Sequence, residues 1–554
     1  VLGGALAAGA PEVADRKGAD AVRLQLLDAL GLARTYDLDR LDLTVTTTLD
    51  LPAQAAVSDT LRALRTPEGA AEAGIVGTRL IGKTHDPAGV HYSFTLYERV
   101  AGRNVVRVHT DTQPGQFSLN DGMKLELGST AKLRTLVSWL ELLSEAYMRL
   151  APLDRAALAR VEVDPADRLT AWMIQYLRRH RTHTLRDALE AAMDRRFSAS
   201  PHERFYTGGG VHRFGNFDDD SNGRTYTVRK ALQQSVNLSF VRIMKEVVDH
   251  LAYGDGHARA VLDDPAHPER QALLEGFADL ESATFLDRFR ARYEGLSADH
   301  ALAKLGDHVA PEPRRVAVVF RSVRPEAPRA DFDLFVRARV ERTHDDDDLA
   351  ALWDEANPAR WSLKDRAYLA RVHPLELWLL AYRQVHGDAD RETLMAASAD
   401  ARREAYDWLI ETDRPRAQNN RLRVMFERRA FDRLHQRWVA VGFPFDHLVP
   451  SLGTALGSSG DRPSALAELM GILSAGGMRY PTERVTRLHF ASGTPYETVL
   501  APGQAEGRRV LPAEVADVAR AALRDVVTDG TAHRVHSAFG GGALELGGKT
   551  GTGD

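Results

Sequence analysis

From residue 129 onward, apolar side chains return at every third or fourth position: Leu133, Leu136, Val137, Leu140 and Leu143. That spacing lines one side of a helix, so the pattern predicts a helix starting at Ser129. Upstream, residues 41–50 read Leu-Asp-Leu-Thr-Val-Thr-Thr-Thr-Leu-Asp, and their β-branched content predicts a strand. Pro52 follows at a position suited to the first turn of a helix. Residues 90–96 and 104–110 alternate apolar and polar around Ala101-Gly102-Arg103, which predicts a hairpin. An opening linker over residues 1–40 is expected to carry a helix near 21–32.

Residues 251–445 have a different texture. They are dense in Arg, Asp and Glu, carry helical spacing and show no repeat. Tyr368, Leu369, Val372, Leu375 and Leu379 form a stripe over 363–383, which Pro374 should kink or divide. The region reads as an inserted helical subdomain with its own small core. The run Asp345–Asp348 lacks the alternation of a calcium loop and reads as a solvated loop.

The chain has 554 residues, more than one hydrophobic core usually organises. Its net charge of -5 gives no reason to expect nucleic acid as a partner. It has no cysteine, which excludes disulfides and thiolate metal sites and suits an oxidising compartment. No H-E-x-x-H spacing occurs, so no metal is expected. No apolar run reaches the roughly 18 residues of a membrane span. The weakly apolar start and the stop at Asp554 suggest a piece of a longer protein.

Three short strings carry the chemistry. Ser129-Thr-Ala-Lys132 is the one S-x-x-K in the sequence, Ser235-Val-Asn237 is an S-x-N, and Lys549-Thr-Gly551 is the one K-T-G. On a helix, Ser129 and Lys132 lie one turn apart on one face. The helix N-terminus would favour negative charge developing at Ser129. Burial and a second cation, for which Lys549 is the candidate, would lower the pKa of Lys132 and let it act as a base. Ser235 and Asn237, two apart in an extended loop, would face the same side. Residues 543–552 are expected to continue one strand through the K-T-G, along which a peptide could lie antiparallel.

The ordered trio resembles the active-site set of penicillin-binding proteins and serine β-lactamases. The phrase at 46–56, Thr-Thr-Thr-Leu-Asp-Leu-Pro-Ala-Gln-Ala-Ala, is similar to the entry of class A, bifunctional transpeptidase domains. So are residues 215–237, the Pro-Ser-Leu-Gly-Thr-Ala-Leu-Gly at 450–457, and the Val-Val-Thr-Asp-Gly-Thr-Ala at 526–532. The resemblance covers roughly 41–250 and 446–554 and leaves 251–445 unmatched.

It implies an α/β (α+β) fold, with a mostly antiparallel sheet flanked by helices, an all-helical lobe and here a large helical insertion. It implies a DD-transpeptidase that cross-links peptidoglycan stem peptides through a Ser129 acyl-enzyme and is acylated by β-lactams. Lys132 would move the proton and Ser235 would relay it. Asn237, Lys549, Thr550 and Gly551 would hold the substrate, and the Thr552 and Ser129 amides would form the oxyanion hole. No cofactor is implied. Stem peptides, β-lactams and other cell-wall synthesis proteins are the implied partners, on the periplasmic or extracytoplasmic face of a bacterial inner membrane. A membrane anchor and a glycosyltransferase would lie before Val1. Water as acceptor would make the chain a carboxypeptidase or β-lactamase; a silent site would make it a β-lactam sensor.

Overall fold

The computed structural model describes residues 17–77, 81–180, 182–207, 210–340, 345–412, 414–501, 503, 506–540 and 542–553. The chain forms two compact units, Val1–Gly256 with Glu427–Asp554, and His257–Phe426. The fold is mixed α/β. Strands form five small sheets of two or three strands, and every ladder among the described residues is antiparallel except one.

In the first unit, strand Leu43–Thr47 pairs with Val485–Phe490, which pairs in turn with Thr498–Leu500. Helices Lys17–Ala29 and Thr35–Asp39 bury Val22, Leu26 and Leu38 against Leu43. Asp50 caps helix Leu51–Ala63 by accepting from Ala53 N at 3.0 Å, with Pro52 in the first turn. The hairpin Ser93–Val100 and Arg103–Asp111 turns on Ala101 and Gly102, both at positive φ (47° and 76°). A two-residue turn of that hand matches the twist of the strands it joins. Strand Arg103–Asp111 also pairs, in parallel, with Thr482–Glu483.

Helix Ala131–Leu150 is the axis of this unit, with 16 of its 20 residues buried. A helix buried on every side must be surrounded, and helices Arg168–Arg179, Leu185–Met193, Asn237–Tyr253 and Ala513–Asp529 pack on it. Its Arg134 is fully buried and paired with Asp461, Nε to Oδ2 at 2.5 Å.

The second unit is helical throughout its described residues. Helix Pro313–Val323 buries eight of its 11 residues at the centre. The stripe at 363–383 is divided into helices Leu363–Ala370 and Pro374–His386, with Arg371 in the left-handed region between them (φ 58°). Pro374 cannot continue a preceding helix but fits the first turn of a new one.

Two expectations are corrected. Asp345–Asp348 is not a loop. Asp345 accepts from Asp348 N at 2.8 Å and caps helix Asp346–Glu355, whose first turn takes the negative charge favourably. Residues 543–552 form no strand. Gly548 N donates to Leu523 O of helix Ala513–Asp529 at 3.1 Å, and no ladder joins the segment to a neighbour among the described residues. Alternation suits a residue run to a sheet, but the ladder partner makes the strand, and a segment with glycine at 540, 542, 547, 548, 551 and 553 has little of its own to hold it extended.

Candidate active site

Backbone crowding sets the entrance to the serine. Gly128 stands at φ 54° and is buried, and a Cβ there would overlap the Thr552 carbonyl. A Cβ on Gly457 would come within 2.8 Å of the Gly128 backbone. Three chain segments therefore meet at one point, before Ser129, at the end of the turn Leu452–Leu456, and just past the K-T-G. Leu125 and Asp461 exchange backbone hydrogen bonds at 3.0 and 2.8 Å, which fixes the approach to the serine. Ser129 itself sits in the 3-10 turn Gly128–Thr130 that opens helix Ala131–Leu150.

Lys132, 0% exposed, points back along that helix face. Its Nζ lies 2.8 Å from Ser129 Oγ, 2.6 Å from Ser235 O, 3.1 Å from Ser235 Oγ and 2.7 Å from Asn237 Oδ1. An ammonium has three donors and no acceptor, whereas the hydroxyls of Ser129 and Ser235 can donate as well as accept. A neutral amine can donate to Ser235 O and Asn237 Oδ1 and keep its lone pair for the Ser129 O–H. The electrostatics agree. Burial, and then the charge of Lys549, push the Lys132 pKa well below its ordinary value. Burial lowers that of Lys549 to about 7.

Ser235 Oγ bridges the two amines, 3.1 Å from Lys132 Nζ and 2.8 Å from Lys549 Nζ. Ser235 follows helix Val228–Gln233 at φ 57°, a conformation that favours glycine. A serine held there marks a place where the side chain is needed more than the relaxed backbone. Asn237 is the first residue of helix Asn237–Tyr253 and does not lie in an extended loop as expected. Its Nδ2 donates to Gly215 O at 3.0 Å, which turns its oxygen towards Lys132. Lys549 Nζ also donates to Thr550 O at 2.7 Å, and Thr550 Oγ1 lies 2.7 Å from Thr531 Oγ1.

These groups line one cleft of about 640 Å³. Ser129, Ser235, Asn237, Thr550, Gly551 and Thr552 face it directly. Lys132 and Lys549 reach it through their bonds to the two serines. The structure thus gathers every residue of the three strings within the first unit.

No family model matches the chain, and no curated protein matches it. Two solved structures of PonA1 from Mycobacterium tuberculosis are similar to it. One is described as a penicillin-binding protein, and the other is in complex with penicillin V. Each is 13% identical, with TM-scores of 0.38 and 0.37 respectively. The likeness covers 92% of this chain and 69% and 71% of theirs.

The cleft has further lining residues that no sequence motif marks. Phe214 and Phe217 supply aromatic surface, and Glu126 and Asp218 supply carboxylates. Asn216 accepts from Leu238 N at 3.0 Å and donates to Ala199 O at 2.8 Å, tying the loop before Ser235 to the helix after it. Its signal was the polar, glycine-bearing run at 215–223, which marks a loop but not which of its side chains turns inward. Arg134 carried no local signal at all, because its partner Asp461 lies 327 residues away.

Proposed function

We propose that this chain is a serine acyl-transfer enzyme of the penicillin-binding kind, a DD-transpeptidase that cross-links peptidoglycan stem peptides. The observation that supports it is the hydroxyl of Ser129 set 2.8 Å from a buried lysine amine whose pKa burial and the charge of Lys549 push well below its ordinary value. Lys132 Nζ takes the Ser129 proton as Oγ attacks the amide carbonyl next to a terminal D-alanine. The C–N bond then breaks. The proton passes from Lys132, by way of Ser235 Oγ, to the departing D-alanine amine, leaving an ester on Ser129. An amine of a second stem peptide attacks that ester, giving its proton back through the same groups and freeing the serine.

In this reading Lys549 and Thr550 hold the substrate carboxylate. A carboxylate there offsets the burial that lowers the Lys549 pKa to about 7, so bound substrate favours its protonated form. Asn237 orients the peptide. The Ser129 and Thr552 amides form the oxyanion hole, and removing such a donor typically costs about 3–4 kcal/mol in the transition state. A β-lactam follows the first half-reaction and stays attached. The setting is the extracytoplasmic face of a bacterial inner membrane, alongside other cell-wall synthesis proteins.

Fluorescent penicillin and a stem pentapeptide test this together. The expected result is a long-lived adduct located at Ser129 by mass spectrometry and absent in Ser129→Ala, with D-alanine release raised by an added amine acceptor. Label at another residue would overturn the nucleophile. Release that ignores the amine would make water the acceptor.

A further inference from the structure

Among the described residues, helical unit 257–426 supplies none to the cleft, yet it holds a cavity of about 260 Å³. Four of its helices line that cavity: Pro313–Val323, Leu363–Ala370, Pro374–His386 and Ala399–Glu411. Three polar groups there are incompletely matched. Ser322 is 3% exposed, and its Oγ has no hydrogen-bond partner. Folded proteins rarely bury a hydroxyl in that condition, so a lone one in a cavity wall points to something that fills the cavity. Arg366 bonds Ser362 O through Nε at a long 3.4 Å and forms no ion pair among the described residues. Glu404 accepts from Lys364 N at 3.0 Å and acts on Arg366 through its charge without closing on it. By contrast, the cavity at the far end of helix Ala131–Leu150 has its Arg433 and Arg437 already met by Asp255, Glu141 and Glu145.

We infer that the cavity between these four helices binds a small zwitterion of amino-acid size, its carboxylate on Arg366 and Ser322 and its ammonium on Glu404. The pairing of charges selects the class. A simple anion drawn to Arg366 would face the Glu404 carboxylate, and a simple cation drawn to Glu404 would face the guanidinium. A ligand carrying both charges completes both groups at once. The size is below that of sites for drug-sized molecules. Asp400 also lines the wall and is already paired with Arg403 at 2.9 Å; the remainder is apolar, with Leu363, Leu377 and the ring of Trp378, which is held by stacking on Tyr382 at 5.1 Å. The ligand's side chain is therefore apolar or aromatic.

The test uses the whole chain with phenylalanine as probe. 3-Phenylpropionate carries the carboxylate alone, and phenethylamine carries the ammonium alone. Saturation-transfer NMR should show phenylalanine binding in the millimolar range, with each single-charge analogue at least ~10-fold weaker. Arg366→Gln should weaken phenylalanine at least ~10-fold with unchanged circular dichroism. Ser322→Ala separates binding from folding. It removes an unmatched buried hydroxyl, so the unliganded protein should melt at the same or a higher temperature, while the shift caused by phenylalanine shrinks. No binding at tens of millimolar would overturn the inference. So would analogues that bind as well as the zwitterion, or variants that bind like the parent. None of these readouts depends on chemistry at Ser129.

Discussion

Ser235 stands in the left-handed region, which costs a non-glycine residue about 1–2 kcal/mol, and its hydroxyl touches both buried amines. Backbone and side chain therefore pull in opposite directions at this position. Ser235→Gly should leave the fold as stable or up to about 1 kcal/mol more stable, while breaking the link between Lys132 and Lys549. Thermal melting beside penicillin acylation checks it; a Gly variant that acylates at the parent rate would show that the hydroxyl relays nothing. The lysines divide by pH. Lys132 works as a base only when neutral, and burial, then the charge of Lys549, lower its pKa in that direction. Lys549→Met removes that repulsion, so the Lys132 pKa rises and the acid limb of the acylation rate profile should move to higher pH. Lys132→Met should lower acylation by about 10²–10⁴-fold with little change in initial binding. Arg134 belongs to the same scale by a different route. Arg134→Met leaves the Asp461 carboxylate buried without its partner and should cost about 3–5 kcal/mol, much of it recovered in Arg134→Met with Asp461→Leu. Denaturant melts of the single and double variants measure this.

At the scale of elements, what the sequence made legible was what repeats locally. The 3.6-residue spacing after Ser129 corresponds to helix Ala131–Leu150, the alternation at 90–110 to the hairpin, and Pro374 to the break between two helices. The expectations that failed depended on something outside the local window. Residues 543–552 open on an apolar-polar-apolar Leu544-Glu545-Leu546 but have no ladder partner among the described residues, and Asp345–Asp348 becomes a helix start because Asp345 can cap it. The meeting of Gly128, Gly457 and Thr552 joins parts of the chain far apart in sequence, so no local spacing could announce it. His373 illustrates the same limit and yields a prediction. It caps helix Pro374–His386 by accepting from Leu375 N through Nδ1 at 3.2 Å, and it stacks on Phe285 at 4.3 Å. Burial lowers its pKa from 6.5 to about 4. Between those values the unfolded chain binds a proton that the folded unit refuses. Its contribution is therefore complete above pH 6.5 and is lost as pH falls towards about 4. His373→Asn keeps a capping oxygen and should flatten the dependence of stability on pH in that window, even if packing loss lowers stability throughout. A slope identical to the parent would place the acid sensitivity in other groups.

For the whole molecule, the question is whether the helical unit is needed to assemble the cleft. Every described residue lining the cleft comes from Val1–Gly256 or Glu427–Asp554. The two ends left by removing 257–426 are held near each other by the first unit's own bonds. Arg433 donates to Leu251 O at 2.7 Å and pairs with Asp255 at 3.2 Å. Arg433 is six residues along the helix from Glu427, about 9 Å at the usual rise. Asp255 is one residue from Gly256. A Gly-Ser linker of about ten residues can bridge such a gap, and closing it costs little because loop entropy grows slowly with length. Replacing 257–426 with that linker should keep fluorescent-penicillin labelling of Ser129 within a few-fold of the parent rate. It should also abolish phenylalanine binding and the pH slope assigned to His373. All three readouts come from one protein. A linker variant that folds, by circular dichroism and a cooperative melt, yet no longer labels Ser129 would mean that the helical unit acts on the cleft without supplying a residue to it. Retained labelling with the other two signals gone would place the chemistry in the first unit and leave the second as a separately folded, ligand-binding part of the chain.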